Sequence, residues 1–137
     1  MARTTFTGPV VSKNGFVDGH ATTAAINSTA TATAAQVATG YITSTSASAT
    51  TITLPTGTLL GTALGATQGT VLDLYIDNTA GASTVTIAIA TNGVLSTAAV
   101  DTAGSFGDLT VASGATGLAR FTIMFSSATA YAFTRTA

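Results

Sequence analysis

Residues 70–78 read TVLDLYIDN. In an extended chain successive side chains point to opposite faces. Leu72, Leu74 and Ile76 then share one face, and Val71, Asp73, Tyr75 and Asp77 share the other. A helix would scatter this set around its circumference, so the alternation predicts a strand with one buried face. The same period recurs. In TTITLP it aligns Ile52 with Leu54, and in TVTIAIA it aligns Val85, Ile87 and Ile89. In ARFTIMFSS it aligns Phe121, Ile123 and Phe125, leaving Arg120, Thr122 and Met124 outside. AYAFTRT places Tyr131, Phe133 and Arg135 on one side.

The connectors read as turns. Asn92-Gly93 predicts a tight type I′ hairpin between TIAIAT and VLS. DNTAGAST, ASGATG and SSAT join the other strands. One segment, PTGTLLGTALGATQG, has helix-entry residues at Pro55 and Thr56 and leucines at 59, 60 and 64 on one face. Its glycines at 57, 61, 65 and 69 form a small face suited to close backbone approach. Short strands in series predict an all-β fold. The expected architecture is an antiparallel β-sandwich or jelly-roll-like barrel with one short helix and an extended N-terminal arm. The expected division is an arm over residues 1–20 and a single β-sandwich domain over residues 21–137.

Composition narrows the function. Charged residues make up 7% of the chain, and the formal net charge is -1. Such a surface has no field to steer nucleic acid or an anionic membrane. Threonine and glycine interrupt every apolar stretch before the ~20 residues of a spanning helix, and the N-terminus lacks the uninterrupted apolar core of a secretory signal. Cysteine is absent, which removes disulfides and thiolate metal sites. Low charge is unfavourable for a free monomer and suits a chain that works in an assembly.

The chemistry-bearing residues are few. His20 is the single histidine, with Asp18 its one acidic neighbour, so it reads as a surface histidine and not as a metal ligand. Asp73 and Asp77 share a strand face about 13 Å apart, too far to share a proton or a metal. Asp101 and Asp108 lie in DTAGSFGD, which lacks the oxygen density of a calcium loop. No serine or threonine has a base beside it in the sequence, and no glycine-rich segment carries the lysine of a phosphate loop. These features predict a protein that is not an enzyme and carries no cofactor.

The opening stretch, RTTFTGPVVSKNGF, concentrates large and charged side chains in an otherwise bland chain. It reads as a disordered tail, as an ordinary first strand, or as an arm that docks on another surface. On the third reading the contact residues are Arg3, Thr4, Thr5, Phe6, Pro9, Lys13 and Phe16, with the two phenylalanines as anchors.

This opening resembles that of small proteins encoded with the head genes of tailed bacteriophages. The body from Gly40 to Ala90 and the closing stretch from Leu109 to Phe133 are similar to the same family in pattern. The resemblance implies a capsid decoration, or cement, protein on the outer surface of the virion head. Its expected partners are the major capsid protein and two further copies of itself, as a homotrimer, with no nucleic acid and no membrane. A second reading is a head-fibre base or a tail module that binds host carbohydrate. Exposed aromatic residues beside polar loops would favour it, and the candidates are Tyr41, Tyr75 and Tyr131.

Overall fold

A computed structural model of the chain describes residues 7, 20, 22–95 and 109–137. Among the described residues, ten strands form two sheets. The larger has the order β1 (Ala24–Ala25), β3 (Tyr41–Thr43), β5 (Val71–Asp77), β9 (Leu118–Ser127), β10 (Ala130–Arg135) and β7 (Gly93–Leu95). The smaller has the order β2 (Ala30–Thr31), β4 (Thr50–Thr53), β6 (Val85–Ala88) and β8 (Thr110–Val111). The two inner faces enclose one core, with Ile42, Leu74, Ile76, Phe121, Ile123 and Phe133 from the large sheet and Ile52, Val85, Ile87 and Val111 from the small one.

The expectation of an antiparallel sandwich or closed barrel with one helix is overturned. Both sheets are mixed, neither closes, and the described residues contain two α-helices. From β1 to β6 the chain visits the large and small sheets alternately, each visit adding a parallel strand beside the last. Ala24 pairs with Ile42, and Ile42 with Ile76; Ala30 pairs with Ile52, and Ile52 with Ile87. The result is a coil of three turns. Antiparallel pairing begins only where β8 meets β6 and where β9 inserts between β5 and β10. Period-2 alternation says which face of a strand is buried and nothing about the direction of its neighbour, which is why both arrangements fit the sequence.

The Asn92-Gly93 turn shows the difference locally. Asn92 alone takes a left-handed conformation there (φ 61°), and the Gly93 N–H bonds the Ala90 carbonyl. A type I′ hairpin needs two such residues. This turn instead carries the chain from β6 in one sheet to β7 in the other.

Helices occupy two corners of the coil. α1 (Ala34–Ala38) opens on a reciprocal cap: Thr33 N–H donates to Gln36 Oε1 at 2.8 Å, and Gln36 N–H donates to Thr33 Oγ1 at 3.2 Å. α2 (Gly57–Leu64) is capped by Thr56 and ended by Gly65. It buries Gly57, Leu60 and Gly61, leaves Leu64 half-buried, and exposes Leu59. The predicted leucine stripe therefore splits, because the glycines face the core side. A Cβ on Gly61 would overlap the Ala128 carbonyl oxygen, and one on Gly57 the Thr129 carbonyl oxygen. The turn between β9 and β10 thus rests directly on the helix backbone.

The hairpin of β9 and β10 supplies the large side chains of the core. Phe121 and Phe133 stack at 5.0 Å, and Phe125 meets Tyr131 at 5.7 Å. Tyr131 is only 1% exposed, and its hydroxyl donates to the Pro55 carbonyl at 2.9 Å. It is therefore no candidate for carbohydrate recognition. At the far end of β5, buried Asn78 ties the sheets together, its Nδ2 donating to the carbonyls of Ser83, Val111 and Ala112 at 2.9, 3.2 and 3.0 Å.

Candidate binding site

On the outward face of the large sheet Tyr41, Tyr75 and Arg120 are half-buried and Leu118 and Met124 exposed. Tyr41 lies opposite Tyr75 on the neighbouring strand, and Tyr75 opposite Arg120 on the next. Strand register therefore sets these three residues in a row across β3, β5 and β9. The two tyrosine rings stand 6.4 Å apart with 31° between their planes.

His20 packs beside both rings, 5.9 Å from that of Tyr41 and 5.7 Å from that of Tyr75, so the three form a triangle. It fits because residue 40 is glycine: a Cβ there would stand 2.6 Å from His20 Cε1, and its φ of +73° suits glycine. His20 Nδ1 lies 2.8 Å from the Thr39 carbonyl oxygen. A carbonyl can only accept, so Nδ1 carries the proton, and in the neutral ring Nε2 is left as an acceptor. Proximity to the two rings was not visible in the sequence, where His20 sits twenty-one residues from one tyrosine and fifty-five from the other.

Asp77 fixes the orientation of Tyr41. The Tyr41 hydroxyl donates to Asp77 Oδ2 at 2.7 Å, while Asp77 Oδ1 accepts from the Thr79 hydroxyl and, at 2.9 Å, from the Thr79 N–H. The Thr79 hydroxyl, followed by those of Tyr41 and the Thr79 backbone, holds the Asp77 carboxyl below its ordinary value. The same bond to Asp77, with burial and the carboxylate charge adding to it, raises the Tyr41 hydroxyl above its ordinary value. Asp73 is engaged separately, accepting from Thr122 Oγ1 at 2.9 Å. The two carboxylates do not form a pair.

Leu118, 52% exposed, faces Asp77 across the sheet. Together with Tyr75 it divides the surface into two adjoining depressions. One, of about 250 Å³, is completed by His20 and Tyr41. The other, of about 220 Å³, is completed by Arg120 and Ala137. Arg120 Nε donates to Thr136 Oγ1 at 3.2 Å.

A different surface lies at the corner of the coil. Ala32, Ala34, Pro55, Thr56, Leu59 and Ala90 are among the residues lining an apolar groove of about 390 Å³. Leu59 is 59% exposed there. No grouping of three or more metal-ligating side chains occurs among the described residues, and none of their helices is long and apolar enough to cross a membrane. The expected arm contacts, Arg3, Thr4, Thr5, Phe6, Pro9, Lys13 and Phe16, lie outside the described residues, as do Asp101 and Asp108. Comparison of the chain with protein-family models, with curated proteins and with solved structures finds no match.

Proposed function

We propose that this chain is a capsid decoration protein of a tailed phage. It acts without catalysis, on the outer surface of the assembled head, as a homotrimer that bridges major capsid subunits. The observation that carries the reading is the apolar groove around Leu59 in a chain with four cationic and five acidic residues. Exposed apolar surface of this kind marks interaction sites. It can be covered without stripping water from charges, which is the costly part of forming an interface. The resemblance of residues 3–16 and of the body to phage head proteins supports the choice of partner. The arm residues Arg3 to Phe16 are the second proposed contact.

The stabilising effect follows from mass action. A ligand that binds only the intact shell stabilises it by about 2.7 kcal/mol per site when its free concentration is a hundredfold above Kd. A repeated lattice multiplies this modest gain over many sites. The test is addition of the purified protein to capsids that lack it, followed by co-sedimentation, thermal challenge and imaging. The expected result is three-fold clusters over the head and a higher disruption temperature. Leu59→Asp should fold and lose most of its occupancy, since residue 59 points to solvent. Density confined to the tail, or full occupancy by Leu59→Asp and by a chain lacking residues 2–16, would refute the reading.

A further inference from the structure

We infer that the surface formed by His20, Tyr41, Tyr75 and Leu118 is a binding site for a neutral oligosaccharide, one that places hexopyranose units in the two adjoining depressions. This goes beyond capsid decoration and does not depend on it, because the apolar groove around Leu59 shares no lining residue with either depression.

Three features define the ligand. The first is shape. The Tyr41 and Tyr75 rings, 6.4 Å apart with 31° between their planes, line a shallow depression together with His20 and Leu118. A pyranose has an apolar face of C–H groups, and the electron-rich face of an aromatic ring attracts such weakly positive hydrogens. The second is unused hydrogen-bonding capacity around those rings. Among the described residues, the Tyr75 hydroxyl, His20 Nε2 and the terminal nitrogens of Arg120 have no partner, and Asp77 Oδ2 accepts one bond only. Both donors and acceptors thus border the two depressions, which suits a ligand whose hydroxyls both give and take hydrogen bonds.

The third feature is charge. Arg120 stands at one end of the row, and Asp77 and Asp73 lie along the same face. Among the described residues Arg120 is the one charged residue in the two linings, where it would oppose a cationic ligand, and a polyanion extending along the strand from it would run towards the Asp77 and Asp73 carboxylates. A hydroxyl-rich neutral molecule meets neither penalty. A flat sheet interior also offers no free backbone edge, so an extended peptide would find no strand to pair with.

A shallow site for a single sugar ring binds weakly, with Kd on the order of 1 mM. Display of many copies would raise the effective affinity without new contacts. The experiment is saturation-transfer and chemical-shift NMR on the isolated chain with maltotriose, chitotriose and mannotriose, and with a sulfated heparin trisaccharide as the anionic probe. The expected result is saturation of at least one neutral trisaccharide, with shifts confined to the rows containing Tyr41, Tyr75 and Leu118. Tyr75→Ala should weaken binding at least tenfold, and Tyr75→Phe only a few-fold, since the ring is retained. Leu118→Asp, at an exposed position that the fold does not need, should weaken binding by a similar factor and serves if Tyr75→Ala is unstable. Failure of all three neutral probes to bind, binding of the heparin trisaccharide alone, or undiminished binding to both folded variants would overturn the inference.

Discussion

The coil and the closing hairpin use aromatic rings in opposite ways. Among the described residues the coil and its approach carry His20, Tyr41 and Tyr75, all half-exposed on the outer face. The hairpin carries Phe121, Phe125, Tyr131 and Phe133, all buried. The cause is the stacking geometry. In the coil each inward position lies beside its counterpart one turn away, so Ile42 stacks on Ile76 and Ile52 on Ile87. Aliphatic side chains fill such columns, and rings are left for the outside. The hairpin pairs antiparallel strands of ten and six residues, where Phe125 lies directly opposite Tyr131 and Phe121 meets Phe133 diagonally. Aromatic residues therefore stabilise one region, whereas in the other they are available to bind.

The largest expected effect tests this contrast directly. Phe121→Ala should destabilise the protein by about 3–5 kcal/mol in urea titration, the range for a buried phenylalanine. Tyr75→Ala should cost less than about 1 kcal/mol. Equal losses would erase the distinction between the two regions.

Next in size is the seam where the hairpin turn sits on α2. Gly61→Ala should destabilise by about 1–3 kcal/mol, because the new Cβ overlaps the Ala128 carbonyl and the turn must shift. Helix propensity alone would favour alanine by about 1 kcal/mol, so the sign of the measured change reports the contact. Tyr131→Phe comes third, at about 1 kcal/mol, for the bond to the Pro55 carbonyl. Tyr131 also predicts a loss of stability in base. Burial pushes its hydroxyl from 10.0 up to about 12. Its contribution is complete below pH 10 and falls as pH rises through about 12. Thermal melts of wild type and Tyr131→Phe over that interval should converge.

The smallest effect belongs to the outer face. The Asp77 carboxyl lies below its ordinary value of 3.8. Its contribution is present above the unfolded value and is lost as pH falls through the lower folded one. Melts between pH 5 and 2 should show a slightly shallower acid loss in Asp77→Asn than in wild type. An identical pH slope would mean that the Thr79 and Tyr41 bonds do not hold in solution.

Much of the buried surface was legible from alternation. The faces that alternation picks out in β4, β5, β6 and β9 are the buried ones, and a helix follows the entry residues Pro55 and Thr56. Strand direction was not legible, since a parallel and an antiparallel neighbour bury the same face. The first turn of the coil was missed because β1 and β2 are two residues each, too short to show a period. The Thr33-x-x-Gln36 spacing is the one local signal for α1, set in a run of threonines and alanines. Of the binding row, Tyr41 and Tyr75 were named as candidates. Tyr131 was named with them because a strand of alternating apolar residues does not say whether its tyrosine reaches a buried carbonyl. His20 joined the row only through Gly40, a contact between segments that no local pattern encodes.

The coil also determines how such a chain can change length. Every circuit from Tyr41 to Thr70 returns the backbone to the sheet it left, one strand further along. A duplication of that whole segment would add a complete turn and keep every later residue on its own side of the core. An insertion of half a circuit would send Val71–Asp77 to the wrong sheet and turn its leucines away from their partners. The coil can therefore gain strands only in whole-turn steps, with the hairpin as the fixed terminus against which a new turn is laid.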